Sequence, residues 1–342
     1  MDQKSKNFMF LDKFHSENSN YYSKIRTNLF EAENATDIEQ LPYLPSSLFK
    51  TIDLISISEH DIFKTLYSSG TSGQARSKIF LDRKNALNQT KALVSIMSDK
   101  FGNSRVPMLI LDSKSQTNDR ATFSARGAGI LGFSIFASKK FFALNEAMEI
   151  DEAKIKEFIQ CDNKNPKLLY GFTSIIWEEI LEKLSNDCNI LSNQKCILIH
   201  GGGWKKLSDQ KITTRQFNDA VKYKLGPNVE IHEYYGMVEQ TGSVFLGCEE
   251  GYLHTNEFND IIIRDPETLT VKKNGEIGVI QSLSSIATSY PGFSILTEDL
   301  GVVYGNGECN QKCLCGNKSK FFSVLGRLPK SELRGCSNTY GA

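Results

Sequence analysis

The sequence lacks a net charge: Lys and Arg total 40, Asp and Glu total 40, over 342 residues. No global field therefore draws in nucleic acid or an anionic membrane, and partners have to be selected by local chemistry. It also lacks any apolar run near the length that spans a bilayer, and the opening Met1-Asp2-Gln3-Lys4-Ser5-Lys6 has no apolar signal core. The expectation is a soluble, cytoplasmic protein. By length it holds about two domains, or one large domain with a smaller appendage.

What is present centres on Tyr67-Ser68-Ser69-Gly70-Thr71-Ser72-Gly73, followed by Arg76 and Lys78. Small side chains let backbone N–H groups turn inward around an anion, hydroxyls add donors, and the cations neutralise phosphate charge. The run lacks the Gly-Lys-Ser/Thr ending of a P-loop, which argues against an ordinary nucleotidase. Taken alone, the same composition also suits a surface turn.

Residues 1–60 read as an irregular lead-in with one amphipathic helix near 21–35 and a turn at 41–45. After the cradle, Ile79-Phe80-Leu81 completes a hairpin, and Asp82 caps a helix reaching about Lys100, with Ala86, Leu93, Met97 and Phe101 at helical spacing. From Pro107, apolar segments at 108–111, 133–136, 168–170 and 196–199 read as buried strands, with a helix over 175–184 carrying Trp177. This alternation predicts a mainly parallel α/β sheet, whose ligands sit beyond the carboxyl ends of its strands.

Two loops follow such strands. His200-Gly201-Gly202-Gly203-Trp204-Lys205-Lys206 offers bare backbone to a flat ligand, with lysines close in sequence. After a helix over 208–224 and a strand over 229–233 comes Tyr234-Tyr235-Gly236-Met237-Val238-Glu239-Gln240-Thr241-Gly242. It supplies a stacking face and a carboxylate suited to a hard cation such as Mg²⁺. Beyond Gly242 short strands and turns predict a β-rich subdomain. Within it, Thr297-Glu298-Asp299-Leu300-Gly301 reads as a carboxylate before a turn, able to accept from both hydroxyls of a ribose.

Cysteine usage is uneven. Cys161, Cys188 and Cys196 read as small hydrophobes, whereas Cys248, Cys309, Cys313, Cys315 and Cys336 crowd late. Cys248, His254, Cys313 and Cys315 form a candidate structural Zn²⁺ site, with Cys309 as an alternative to Cys313. Gly305-Asn306-Gly307 and Gly316 supply the turns that a ligand knuckle needs.

In this order, the cradle, the triple glycine, Tyr-Gly-Met-Val-Glu, Asn-Gly-Glu-Ile-Gly, Thr-Glu-Asp-Leu-Gly and Leu325-Gly326-Arg327 resemble the acyl-adenylate-forming enzymes. The likeness runs from about residue 60 to the end and is nearest to the acyl-protein synthetases of bacterial luminescence operons, the fatty-acid-activating subunit of fatty acid reductase. The resemblance implies an α/β fold: the large N-terminal-type domain with a β-rich subdomain, the mobile C-terminal domain missing. The expected divisions are a lead-in at 1–60, an α/β core at 61–242, a β-rich subdomain at 243–326 and a hinge-like tail at 327–342.

The resemblance further implies that Ser68, Ser69, Gly70, Thr71, Ser72 and Gly73 hold the phosphates of ATP, with Lys78 nearby. Gly201, Gly202, Gly203, Tyr234, Tyr235, Gly236 and Met237 would border the adenine, Glu239 would bind Mg²⁺, and Asp299 and Arg327 would meet the ribose. Two features depart from the pattern. Val238 stands where the superfamily usually has Thr, and the usual C-terminal adenylation lysine is absent, with Lys205, Lys206 and Lys330 as candidate substitutes. Cys336 maps onto the acyl-accepting cysteine.

The implied reaction is ATP-dependent activation of a carboxylic acid, expected to be fatty, to acyl-AMP, then transfer to the Cys336 thiol for delivery to an acyl reductase subunit. Coenzyme A or a carrier-protein thiol is the alternative acceptor. A nucleotide-binding scaffold without catalysis is the non-enzymatic reading.

Overall fold

The computed structural model describes residues 2–30, 35–68, 75–102, 104–117, 125–161, 166–185, 189–202, 212–307 and 311–328. In chain order, helices α1 (Gln3–Asn18) and α2 (Asn20–Leu29) precede strand β1 (Leu44–Pro45) and the hairpin β2 (Lys64–Tyr67) and β3 (Lys78–Leu81). Helix α3 (Arg83–Phe101) leads to β4 (Val106–Ser113), α4 (Ala125–Phe133), β5 (Ala137–Leu144), α5 (Glu152–Ile159) and β6 (Lys167–Phe172). A short α6 (Thr173–Ile175) continues as a π-turn over Ile176–Leu181, followed by β7 (Cys196–Gly201), α7 (Thr214–Lys224) and β8 (Val229–Tyr235). The remainder is strands: β9 (Phe245–Gly247), β10 (Leu253–His254), β11 (Asn259–Arg264), β12 (Gly278–Ser284), β13 (Ser294–Gly305) and β14 (Phe321–Arg327). Among the described residues no helix is long and apolar enough to cross a membrane.

The chain forms two compact units. One comprises residues 94–235 and 246–251. Its strands run parallel, in the order β5, β4, β6, β7, β8, with Ile110 opposite Tyr170, Tyr170 opposite Ile199, and Ile199 opposite His232. Unbroken apolar runs such as Leu168-Leu169-Tyr170 suit strands covered on both faces. Leu109, Leu169 and Leu198 pack with Phe158, Phe217 and Val221 in the core.

Two expectations for this unit are corrected. Residues 133–136 are the end of α4 and a 3₁₀ turn, and the strand starts at Ala137. The polar Ser138-Lys139-Lys140 opening of β5 is exposed, so its first half carries no hydrophobic signature. The helix expected over 175–184 is instead the short α6 with its π-turn, in which the Glu182 amide bonds Trp177 O at 2.9 Å.

The other unit comprises residues 1–93, 236–245 and 252–342. Here β11, β12, β13, β14 and β10 pair antiparallel in that order, and β1 lies parallel to β13 with Leu44 opposite Ile295. The lead-in holds two helices rather than one. On α1 the buried residues are Phe8, Leu11, Asp12 and His15, a core-facing stripe at helical spacing. The two polar members are partnered: Asp12 pairs with Arg26 at 3.0 Å and accepts from Tyr22, while His15 lies 2.8 Å from Ser56 Oγ and 2.9 Å from Ala287 O. Burial pushes the imidazole of His15 down to about 4, so it is neutral in the core. Helix α3 begins as expected, the Asn85 amide donating to Asp82 Oδ1 at 2.6 Å.

Candidate functional site

In the antiparallel unit Tyr67 and Ser68, which open the cradle sequence, stand at the end of β2. After Tyr67 pairs with Lys78, the Ser68 amide donates to Ser77 O at 3.0 Å and the Ser77 amide to Ser68 Oγ at 2.9 Å. These bonds close the mouth of the loop; Ser69, Gly70, Thr71, Ser72 and Gly73 lie outside the described residues. Lys78 pairs with Asp53 at 3.1 Å, with both side chains about half exposed. Such a pair adds little to stability and leaves the ammonium available.

Glu239 stands on a 3₁₀ turn over Val238–Gln240. Gln240 fixes that turn by donating to Ser282 O at 3.0 Å and to Gly292 O at 2.9 Å, while Tyr290 Oη donates to Glu239 O at 2.7 Å. Beyond it, Gly242 has φ +87° and lies against the backbone of Gln89 on α3, where a side chain would collide. Met237 packs against the core of this unit.

Among the described residues four carboxylates are buried: Asp12, Asp112, Glu239 and Asp260. Asp12 is paired with Arg26, Asp112 with Arg126, and Asp260 with Lys4 and Lys320. Glu239 has no ion pair among the described residues; Lys50 and Arg327 act on it only as more remote charges. Burial therefore raises the proton affinity of its carboxyl, opposed first by the Ser77 hydroxyl. A buried carboxylate with no cation of its own, beside a hydroxyl, is a donor set that fits a hard divalent ion.

Asp299 and Arg327 are cross-strand partners on β13 and β14, with Nε to Oδ1 at 3.5 Å; Arg327 also reaches Glu298 at 3.6 Å. Asp299 thus lies within a strand, not before a turn as its sequence suggests. The pairing shifts register at Leu300/Gly301, and Thr297 Oγ1 donates to Ile280 O at 2.9 Å while accepting from the Asp299 amide at 3.1 Å. This fixes a carboxylate and a guanidinium side by side, both partly exposed, an arrangement able to grip a diol.

The parallel unit carries the glycine and aromatic elements. Phe172, Gly201 and Tyr235 are the last residues of β6, β7 and β8, the edge at which parallel sheets bind ligands. A Cβ on Gly201 would lie 2.5 Å from the Tyr234 ring, and one on Gly202, which has φ +90°, would run into Phe172. Tyr234 Oη meets Tyr170 Oη at 2.9 Å, and Phe133 stacks on Tyr170 with centroids 4.7 Å apart. Burial raises the proton affinity of both phenols, so they form a neutral aromatic wall. His200 bonds Thr173 Oγ1 at 2.9 Å, and burial pushes its imidazole down to about 3, which makes it a neutral core residue.

Sequence reading missed Tyr170 and Phe172. A hydroxyl and a ring at the C-terminal end of an otherwise aliphatic strand were the available signal. It also missed Asp112 and Arg126, which join the end of β4 to the start of α4. Tyr234 and Tyr235, expected in the loop after a strand over 229–233, are instead the last two residues of β8. Gly203, Lys205, Lys206, Lys330 and Cys336 lie outside the described residues.

The ligand atoms of Cys248, His254, Cys313 and Cys315 all lie within 4.8 Å of one another. Cys315 Sγ is 3.4 Å from His254 Nε2, while His254 Nδ1 faces Ser319 Oγ at 3.2 Å. Zn–S and Zn–N bonds of ordinary length imply a tetrahedral edge of roughly 3.6 Å between such atoms. The donor set therefore fits the ion, with Ser319 orienting the imidazole from behind. Cys309 is outside the described residues.

The family model described as "Acyl-protein synthetase, LuxE" matches residues 2–341. A long-chain-fatty-acid–luciferin-component ligase of Aliivibrio fischeri is 23% identical over 299 residues, covering 85% of this chain and 76% of that protein. The protein of the same name from Vibrio harveyi is 23% identical over 301 residues with the same coverage. Among solved structures, the fold is similar to 2-hydroxyisobutyryl-CoA ligase in an open conformation with 2-HIB-AMP and CoA. The TM-score is 0.63 at 16% identity, over 94% of this chain and 73% of that one. A second structure of that ligase, in its thioesterification state, gives 0.62 at 14% identity over 95% and 67%.

Proposed function

The chain belongs to the acyl-protein synthetase (LuxE) family, and on that premise we propose that it activates a carboxylic acid with ATP and passes the acyl group to a thiol. It is an AMP-forming ligase in this reading. The acid carboxylate attacks the α-phosphorus of ATP, pyrophosphate leaves and an acyl-AMP forms; a thiolate then attacks the acyl carbon and AMP leaves. The relatives' names point to a long-chain fatty acid, which we adopt as the substrate class.

The observation that carries the proposal is Glu239, the buried carboxylate without a cation, beside the hydroxyl of Ser77 at the mouth of the cradle. Mg²⁺ held there supplies charge neutralisation of the phosphates. Ser68 and Lys78 serve the phosphate groups, Asp299 and Arg327 the ribose hydroxyls, and Gly201, Gly202 and Tyr234 the adenine ring. Lys205 and Lys206 are the candidates for the cation that assists adenylation, and Cys336 is the acceptor that hands the acyl group to a reductase subunit. Acid-dependent exchange of pyrophosphate into ATP tests the first half reaction. Radiolabelled fatty acid should be trapped on the protein and lost in Cys336→Ser, with exchange retained; trapping that persists in that variant sinks the acceptor assignment.

We further assign the Cys248, His254, Cys313 and Cys315 cluster to structural Zn²⁺. Three thiolates and one imidazole close a four-ligand shell and leave no open position for chemistry. Metal analysis of the purified protein should give one zinc per chain, and Cys315→Ser should lose it together with thermal stability.

A further inference from the structure

The turn that carries Glu239 is clamped by side chains to which the proposed reaction gives no role. Gln240 is buried and its amide is fully used: the nitrogen donates to Ser282 O at 3.0 Å and to Gly292 O at 2.9 Å, and the oxygen accepts from Ser282 Oγ at 2.6 Å. Tyr290, also buried, donates its hydroxyl to the backbone oxygen of Glu239 at 2.7 Å. Glu239 is thus gripped at its own carbonyl and at the side chain that follows it.

Tyr290 has little freedom to follow if the turn moves. Ser289, the residue before it, donates its amide to Asn85 Oδ1 at 2.9 Å and its hydroxyl to Asp82 Oδ1 at 3.0 Å, and its carbonyl accepts from the Ser56 amide at 2.8 Å. The Tyr290 ring stands edge-on to Phe49, with centroids 6.3 Å apart. Gly292 closes the slot, since a Cβ there would lie 2.2 Å from the Tyr290 ring and 2.8 Å from Glu239 O. All of these residues belong to one unit. Groups that hold a ligand residue from behind set its geometry, and with it the affinity for the ion.

We infer that Tyr290 is a positioning residue for the divalent-ion site: its hydroxyl, with Gln240 as the second hold, fixes the backbone of Glu239 so that the carboxylate meets the ion of a metal–nucleotide complex. The connection between β12 and β13 then serves the site without touching substrate. The inference rests on the reading of Glu239 as the Mg²⁺ ligand.

The test measures binding of Mn²⁺–ATP by the enhancement of water proton relaxation, which reports protein-bound Mn²⁺, beside binding of ATP alone in EDTA. Tyr290→Phe removes one hydroxyl and keeps the ring. Tyr22→Phe is the control: that tyrosine is buried in the same unit and also donates at 2.7 Å, but to Asp12. Both variants should unfold at a lower urea concentration than the unmodified protein. Only Tyr290→Phe should bind Mn²⁺–ATP more weakly, by roughly tenfold, the scale of losing a partner behind a metal ligand. ATP in EDTA should bind both variants as it binds the unmodified protein. Ser282→Ala, which takes a donor from Gln240, should shift Mn²⁺–ATP affinity in the same direction, and it carries the comparison if Tyr290→Phe does not fold.

Unchanged Mn²⁺–ATP affinity in folded Tyr290→Phe, or in Ser282→Ala where that variant stands in for it, overturns the inference. An equal loss in Tyr22→Phe also overturns it, because it marks a general loosening of the core. So does an equal loss for ATP in EDTA, since the effect then bypasses the ion. Glu239→Gln separates the two levels. If that variant binds Mn²⁺–ATP as tightly as the unmodified protein, the Mg²⁺ reading falls and takes this inference with it. If Glu239→Gln loses affinity and Tyr290→Phe does not, only the role of Tyr290 is lost.

Discussion

Asp260 and Glu239 belong to the same unit and are both buried, yet the chain treats them in opposite ways. Asp260 sits between Lys4 at 2.8 Å and Lys320 at 2.6 Å. Burial works against its ionised form, but the two ammonium groups outweigh it and hold the carboxyl below the ordinary range. Glu239 has burial without such partners, and its proton affinity rises. The first carboxylate is finished as a structural element that ties α1 to β11 and the segment before β14. The second is left incomplete by the protein alone, at the expense of stability, which is expected where a ligand supplies the missing charge.

The sharpest break in this comparison is Glu239→Gln. If the acid holds a cation for phosphate chemistry, acid-dependent pyrophosphate exchange should fall by at least about a hundredfold, the scale of losing one electrostatic element of a transition state. Stability should move the other way. A carboxyl whose proton affinity is raised on folding favours the folded state below the ordinary carboxyl range and loses that contribution as pH rises through its folded value. In the absence of divalent metal, the Gln variant should therefore melt higher than the unmodified protein at neutral pH, with the gap closing in acid. Unchanged exchange together with a lower melting temperature would make Glu239 an ordinary structural residue.

Asp260→Asn should give the mirror image. Removing one partner of a buried ion pair costs about 3 kcal/mol, read as a lower midpoint in urea. The stability contributed by a depressed carboxyl is present above the ordinary range and is lost as pH falls through the folded value. The deficit of the Asn variant should thus be full at neutral pH and shrink in acid. Below its melting temperature its exchange rate should match that of the unmodified protein. A large loss of exchange in the folded variant would erase the distinction between the two acids.

The same contrast explains what could be read from the sequence. The parallel strands β4, β6 and β7 were legible because both of their faces are buried, and the resulting apolar runs need no tertiary context to be seen. The cap at Asp82 was legible because its bonds are local. Helix α1 was not, since half of its buried stripe is Asp12 and His15, whose partners Arg26, Ser56 and Ala287 O are supplied from elsewhere in the chain. Of the site, Glu239 could be chosen from its motif. Its unpaired state, and the nearness of Ser77, depend on contacts more than 150 positions apart in sequence. Asp299 lies within β13 yet was placed before a turn, because a register shift inside a long strand leaves the same Gly signature as a turn.

A finished contact and an unfilled one also stand side by side in the other unit, and here the expected effects are smallest. Gly129 and Gly132 are three residues apart on α4. A Cβ on Gly129 would collide with the hydroxyl oxygen of Tyr170 and come within 3.2 Å of its ring. Tyr170 cannot yield easily, since it is bonded to Tyr234 at 2.9 Å and stacked on Phe133. Gly129→Ala should therefore destabilise by about 1–3 kcal/mol, as overpacking does. A Cβ on Gly132 meets nothing within 4 Å. Gly132→Ala gains only the helix preference for alanine and should stabilise by about 0.5–1 kcal/mol. Urea midpoints of the two variants decide the matter. If both substitutions stabilise, the Tyr170–Tyr234 pair moves aside freely and the aromatic wall beside Gly201 is not fixed. If they separate in sign, the hydroxyl pair is a rigid element against which a flat ligand can be held.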